Sequence, residues 1–180
     1  MNIVEPIRDP GKILKIKKLL KQRSTRDYFL FVFGINTGLR ISDILKLKVS
    51  DVRGRSHLSI REEKTDSNLR LKFNDYLVEE IDEYTKEMED KDYLFPSSKR
   101  DSPITRVRAY QILNGVAKQV DLTEIGTHTL RKTFGYHFYK RTKDIAILQE
   151  IFNHNNANDT LRYIGIHQDM LDGYMNDFHL

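Results

Sequence analysis

The chain has 180 residues, of which 39% are hydrophobic and 31% are charged, and its formal net charge is +4. This length suits one globular domain with a buried core, and nine Phe and nine Tyr argue against wholesale disorder. No apolar run approaches the ~18 residues that span a bilayer, and no secretory signal is visible. The absence of Cys excludes disulfides, thiolate zinc sites and thiol nucleophiles. We therefore expect a soluble cytoplasmic protein that does not enter a membrane.

The charges are unevenly distributed along the chain. Residues 8–26 carry eight Lys or Arg and one acid, whereas residues 75–92 carry nine acids and two Lys. A protein with one basic side suits a polyanionic partner such as nucleic acid. An uneven but merely solvated surface is the alternative that charge alone leaves open.

Helical periodicity dominates the chain and is interrupted by one strand-like region. Before the strand-like region, helices are predicted around Ile13–Leu20, from the Ser24 cap through Tyr28–Ile35, and over Ile41–Leu45. After it, one helix is predicted to begin at a cap at Asn74 or Asp75 and another to lie around Tyr110–Val120. Three more are predicted over Thr127–Arg141, Asp144–Phe152 and Asp159–Gly165. Between Leu47 and Phe73 apolar residues alternate around a polar turn at residues 65–68, which predicts a hairpin. The tail after Gly165 could add one or two amphipathic turns. The predicted fold class is α+β and mostly helical, with one small antiparallel sheet.

Several familiar catalytic motifs are absent from the sequence. It contains no P-loop, no dinucleotide-binding glycine pattern, no H-E-x-x-H, and no carboxylate grouping typical of an EF-hand or a two-metal nuclease. We therefore expect neither a metal nor a cofactor. The candidate chemistry lies in cations and imidazoles at turns and helix starts, and in one tyrosine.

Arg40 follows Thr37-Gly38-Leu39 at the start of the predicted short helix that contains Asp43. A guanidinium at this point can project into a cleft, with Asp43 one turn on to hold it. An ordinary helix-start Arg paired with Asp43 is the simpler alternative.

His128 and Arg131 lie three residues apart in the first predicted turn of a helix capped by Thr127, so their side chains project in similar directions. An imidazole and a guanidinium at a helix N-terminus are suited to binding an oxyanion. The alternative is that His128 has its hydrogen bonds satisfied by neighbouring groups and that Arg131 faces solvent.

Three further residues complete the candidate set. His154 ends one predicted helix, Tyr163 follows nine residues later, and Lys64 begins the hairpin turn. Taken singly, Tyr163 is more typical of packing and Lys64 of a solvated surface. Together with the two Arg and His128, they supply what phosphodiester transesterification without a metal needs: cations for the phosphate oxygens, imidazoles, a phenol nucleophile and an ammonium acid.

The order of these residues resembles the tyrosine recombinase family of phage and transposon integrases. The stretch Thr37–Leu45 is similar to the first box of that family, Thr127–Phe134 to the second, and the nine-residue step from His154 to Tyr163 to the third. Lys64 falls in the hairpin where the family keeps its catalytic lysine. The resemblance runs from about residue 10 to 170 and implies the catalytic-core fold, with a small three-stranded antiparallel sheet.

The resemblance also implies roles for these residues. Tyr163 would attack a DNA phosphate to form a 3′-phosphotyrosyl link, and Arg40 and Arg131 would clamp the phosphate. His128 and His154 would complete the contacts, Lys64 would protonate the leaving oxygen, and Asp43 would support the site. The implied activity is site-specific recombination of double-stranded DNA by a mobile-element enzyme, with no ATP or metal. The resemblance also implies assembly into a tetramer through the C-terminal segment, and packing of that segment onto its own domain is the alternative.

Three features depart from the family pattern. Asn153 replaces the usual Gly before the histidine, a mild change because Asn also adopts the left-handed conformation. Lys132 replaces a frequent His and would mainly add phosphate attraction. The resemblance begins almost at Met1, so we expect residues 1–180 to form a single DNA breaking and rejoining domain, without an N-terminal core-binding domain.

Two other functions remain open at this stage. One is a catalytically inactive or regulatory DNA-binding module, although such a protein need not keep the full catalytic set. The other is a related topoisomerase or resolvase that uses the same phosphotyrosine chemistry.

Overall fold

Local sequence signals delimit the helices of the chain in a computed structural model, which describes residues 4–61, 68–99, 101–123 and 125–179. The secondary structure of these residues consists of α1 (Pro10–Arg23), α2 (Thr25–Thr37), α3 (Ile41–Lys46), β1 (His57–Arg61), β2 (Asn68–Lys72), α4 (Asp75–Thr85), α5 (Arg106–Ala117), α6 (Thr129–Thr142), α7 (Ile145–Phe152), α8 (Ala157–Tyr163) and α9 (Ile166–Asp177), with short 3₁₀ turns at Val49–Asp51 and Lys118–Val120. The mostly helical α+β fold is thus confirmed. Within these ranges, no helix combines the length and the apolar character that crossing a bilayer requires.

Side-chain caps begin helices where the sequence predicts them. The Asp27 N–H donates to Ser24 Oγ over 3.3 Å at the start of α2. The Leu77 N–H donates to Asn74 Oδ1 over 2.8 Å at the start of α4, so Asn74 is the cap. Such caps satisfy backbone donors that the first helical turn leaves without partners.

The two strands pair antiparallel, with Leu58 opposite Leu71 and Ile60 opposite Leu69. The expectation of a third strand is wrong for the described residues. Lys48 makes only an isolated bridge to Tyr93, because the 3₁₀ turn at Val49–Asp51 ends the pairing. The predicted turn residues 65–67 lie outside the described residues.

Two apolar clusters form the interior, and α6 contributes to both. In the larger cluster, Phe29 and Phe33 of α2 contact Phe95 and are fully buried. The smaller cluster surrounds Phe152 at the end of α7 and includes the residues on either side of the α8–α9 connection. Burial of each such Phe contributes roughly 1.5–3 kcal/mol to stability.

The last four helices differ from their predicted bounds. Helix α6 begins at Thr129 rather than Thr127, because a turn forms between Gly126 and Thr129. The Gly126 N–H donates to Thr129 Oγ1, and the Thr129 N–H donates to Gly126 O. Thr127 is therefore not the cap, and His128 occupies that position without a side-chain capping bond. The tail forms a full helix of 12 residues, α9, rather than a turn or two.

Candidate active site

Arg40 is the N-cap residue directly before α3, where the chain turns sharply out of α2. Gly38 makes this turn in the left-handed conformation, with φ 66°, and a Cβ there would collide with the ring of Phe134 on α6. Arg40 is half-buried, Asp43 is buried, and the Asp43 N–H donates to Arg40 O within the same turn. The structure thus brings Arg40 and Asp43 to one short helix against α6.

Arg131 is buried, with 3% of its surface exposed, so the alternative of a solvent-facing Arg is wrong. One terminal nitrogen donates to Gly38 O over 2.6 Å and the other donates to Phe152 O over 3.1 Å. The guanidinium carbon lies 4.3 Å from the centre of the Phe152 ring. Arg131 therefore joins the Arg40 turn to the end of α7, and a guanidinium fixed in this way is preorganised.

Tyr163 ends α8 and faces His128. Its hydroxyl lies 3.2 Å from Nδ1 of His128, and the two rings meet edge to face. Burial raises the pKa of the Tyr163 hydroxyl above its ordinary value of 10, while the charges of Arg131 and Arg40 and a hydrogen bond with Arg131 pull that pKa down. The phenol therefore lies within the electrostatic reach of both arginines.

His154 also lies beside Tyr163. Its ring centre is 5.3 Å from that of Tyr163, and its Nδ1 lies 3.0 Å from Thr160 Oγ1 on α8. The preceding Asn153 ends α7 in the left-handed conformation, with φ 51°, as its replacement of Gly predicts. Thr160, which sequence reasoning did not single out, holds the imidazole beside the nucleophile candidate.

Lys132 lies against the face of the same tyrosine. Its Nζ is 5.0 Å from the centre of the Tyr163 ring. Burial lowers the pKa of the Lys132 ammonium from its ordinary value, Glu5 raises it and Arg8 lowers it. A cation over the face of a phenol stabilises the negative charge that develops when the phenol ionises.

A cleft of about 420 Å³ opens between α3, α5 and the start of α6. Its lining consists of Arg40, Ile41, Ser42, Arg106, Thr127, His128 and Arg131. Arg106 is a cleft residue that sequence reasoning did not single out. Its position directly after the Thr105 cap of α5 is the signal that could have identified it, because a cation is unfavourable at a helix N-terminus and its presence there suggests another role.

The structure brings together Arg40, His128, Arg131 and Tyr163, with His154 beside the tyrosine. Lys64 lies outside the described residues. Within the described ranges, no three His, Asp or Glu side chains are grouped so that they could hold a metal ion. A phenol beside an imidazole and two guanidiniums can carry out nucleophilic substitution at a phosphodiester, because the guanidiniums neutralise charge on phosphorus-bound oxygens.

Comparison with known proteins identifies the family of the chain. The phage integrase family matches residues 10–170 of the chain. The probable integrase/recombinase YoeC of Bacillus subtilis is 54% identical over 169 residues, which cover 94% of this chain and 93% of that protein. The tyrosine recombinase XerA of Pyrococcus horikoshii is 29% identical over 154 residues, covering 83% of this chain but 54% of the relative. The chain thus spans nearly all of the first relative and about half of the second.

Solved structures share the fold at low sequence identity. A crystal structure of XerA recombinase superposes with a TM-score of 0.75 and 21% identity, over 97% of this chain and 64% of that one. A lambda integrase dimer bound to a COC′ core site superposes with a TM-score of 0.71 and 17% identity, over 91% of this chain and 48% of that chain. The fold is that of tyrosine recombinase catalytic domains. The chain belongs to the phage integrase family, which confirms the resemblance and the expected enzyme class.

Proposed function

We propose that this chain cleaves and rejoins double-stranded DNA at specific sites through a covalent 3′-phosphotyrosyl intermediate on Tyr163. The observation that carries the proposal is the position of the Tyr163 hydroxyl, 3.2 Å from His128 and within reach of the Arg131 and Arg40 charges. Supporting it, relatives of the chain are named tyrosine recombinases, and solved structures with the same fold contain DNA.

In the proposed cleavage step, the Tyr163 oxygen attacks phosphorus and the bond to the 5′ oxygen breaks. The phenolic proton passes to His128, whose Nδ1 is the acceptor within reach. Arg40 and Arg131 hold the non-bridging oxygens, where negative charge accumulates in the transition state. Arg131 is fixed by two backbone carbonyls, so this charge stabilisation needs little reorganisation.

The remaining residues act around this centre. Lys64 delivers a proton to the departing 5′ oxygen, His154 completes the phosphate contacts, and Asp43 supports the Arg40 turn. Rejoining is the reverse reaction, in which a 5′ hydroxyl attacks the phosphotyrosine and releases Tyr163. Because the phosphodiester energy is kept in the covalent link, the cycle consumes no ATP, and the cationic side chains at the phosphate supply the charge that a metal ion would otherwise provide.

We further propose that copies of the chain assemble into a tetramer on DNA through α9. Large apolar side chains are exposed along this helix and just after it, and they are Met170, Leu171, Tyr174, Met175 and Phe178. Exposed apolar faces of this kind mark interaction surfaces. Truncation after Asp169 should spare cleavage by single copies and weaken cooperative assembly.

Action on DNA also implies a cytoplasmic location.

A nicked suicide substrate tests the proposal, because loss of the short 5′ fragment traps the covalent intermediate. Incubation with the wild-type chain in excess EDTA should give a protein–DNA complex that survives denaturant. Tyr163→Phe should give none while binding DNA normally, since one hydroxyl contributes little to a phosphate-dominated interface. A strict requirement for Mg²⁺, or adducts formed equally by Tyr163→Phe, would contradict the proposal.

A further inference from the structure

The segment of residues 4–9, here called the N-terminal strap, is fastened to the helix that carries Arg131. Ile7 is buried, and its backbone N–H donates to Thr133 Oγ1 on α6 over 2.9 Å. Its carbonyl oxygen lies 2.8 Å from Nε2 of His137, one turn further along α6. Both backbone groups of Ile7 are thus used by α6, which fixes the strap where Arg8 begins.

Arg8 extends from this anchored strap to the connection between α8 and α9. Its Nε donates to Asp169 Oδ1 over 2.9 Å, and one terminal nitrogen donates to Gly165 O over 3.3 Å. The other terminal nitrogen pairs with Glu5 of the strap over 2.7 Å. The guanidinium therefore links the strap to Gly165, directly before α9, and to Asp169 in the first turn of α9.

The connection held by Arg8 follows Tyr163 by two residues. Gly165 adopts φ 81°, and a Cβ there would come within 2.6 Å of the Arg8 terminal nitrogen and 3.2 Å of Pro6. Ile164 and Ile166 on either side are buried in the smaller apolar cluster. With so little chain between Gly165 and Tyr163, displacement of this connection displaces the phenol.

We propose that Arg8 is a positioning residue for Tyr163, holding the phenol in register with His128 and Arg131. The inference rests on the proposed function, because its importance lies in the geometry of attack. The strap is bound to α6, which carries Arg131, and Arg8 is bound to the connection next to Tyr163. The strap therefore sets the distance between the two halves of the site. A misplacement of about 1 Å can cost a reaction about 100-fold in rate.

The role of Arg8 is geometric rather than a general contribution to stability. The side chains of Arg8 and Asp169 remain 33% and 30% exposed, and ion pairs accessible to solvent contribute little to folding. Loss of the pair should therefore leave the chain folded while loosening the connection. A conservative variant, Arg8→Lys, keeps the charge but cannot reach Asp169 and Gly165 together, because it lacks the planar fork.

The test compares Arg8→Gln with Arg53→Gln on the nicked DNA substrate under single-turnover conditions. Arg53 is a matched control, since it is also half-buried. It donates to the carbonyl of Thr85 at the end of α4, and to the Met88 carbonyl and Asp90 in the segment that follows. We expect Arg8→Gln to slow covalent complex formation by about 10- to 100-fold with unchanged DNA affinity, and Arg8→Lys to recover part of the rate. Arg53→Gln should form the complex at the wild-type rate.

A second readout does not depend on catalysis. Hydrogen exchange of the amides at the start of α9 should accelerate in Arg8→Gln and stay unchanged in Arg53→Gln. If Arg8→Gln cleaves and exchanges at the wild-type rates, the inference is overturned while the proposed function stands. Faster cleavage by Arg8→Gln would also overturn the inference, because Arg8 would then restrain the tyrosine instead of positioning it for attack. If the wild-type chain itself forms no covalent complex, the proposed function fails and the inference fails with it.

Discussion

The Tyr163 hydroxyl lies 3.2 Å from Nδ1 of His128, although the two residues are 35 positions apart. This pairing matters because the surroundings of the phenol oppose its ionisation. Burial raises the Tyr163 pKa above 10, and the nearby arginine charges do not fully cancel that effect. At neutral pH the tyrosine is thus a phenol, and attack requires a neighbouring acceptor for its proton.

Alkaline titration should reveal the raised pKa of Tyr163. The difference in phenolate absorbance between the wild type and Tyr163→Phe isolates this group, and it should ionise above pH 10. Because the folded pKa exceeds the unfolded one, the contribution to stability is complete below pH 10 and is lost as the pH rises through the folded value. Arg131→Ala should move the titration higher still, since it removes a positive charge that favours phenolate. Ionisation below pH 10 would contradict this description of the site.

Arg131→Ala should also destabilise the fold, because Arg131 joins two parts of the structure. Its loss leaves the carbonyl oxygens of Gly38 and Phe152 without this donor. The free energy of unfolding should fall by roughly 1–3 kcal/mol for each buried group left unsatisfied. Urea unfolding measures the effect, with the exposed Arg162→Ala as a control. Equal stability of the two variants would show that the bridging bonds contribute nothing.

Arg106 lines the cleft and should contact a DNA phosphate. Arg106→Ala should weaken DNA binding and reduce the slope of log affinity against log salt by about 1, the change expected for one lost phosphate contact. Arg108 is a suitable control, because it is exposed on the same helix and does not line the cleft. Matching salt slopes for the wild type and Arg106→Ala would remove Arg106 from the interface.

Lys64 is tested through the leaving group. General acid catalysis contributes ~10²–10⁴-fold, so Lys64→Ala should slow cleavage of ordinary DNA by about that factor. Sulfur at the 5′ bridging position leaves as a thiolate without a proton, so the variant should cleave that substrate almost as fast as the wild type. Arg131→Ala should gain no such rescue, because its partner is a non-bridging oxygen. Failure of sulfur to rescue Lys64→Ala would make Lys64 a DNA contact and His154 the next candidate acid.

Local signals in the sequence were sufficient for much of the fold. The caps Ser24 and Asn74 and the left-handed Asn153 act through bonds or conformations within a few residues, so their positions are predictable. Thr127 is not the cap because its neighbour Thr129 competes for the same turn. The third strand is missing from the described residues because a 3₁₀ turn interrupts the pairing after Lys48.

The site was predictable as a set of residues but not as an arrangement. Spacing in the chain selects Arg40, His128 and Tyr163, yet it contains no information on the burial of Arg131, whose partner Gly38 is 93 residues away. The contact of Arg8 with Asp169 joins opposite ends of the chain, at a separation of 161 residues. Such contacts arise from the packing of whole helices, which local periodicity does not encode.

The identity of the residue that bonds to DNA tests the central claim most directly. The trapped complex can be digested with protease and nuclease, and the peptide that keeps a nucleotide can be sequenced by mass spectrometry. We expect the nucleotide on Tyr163, which contacts His128, rather than on Tyr174, which is 72% exposed on α9. A nucleotide attached to Tyr174, or to any residue other than Tyr163, would contradict the proposed mechanism.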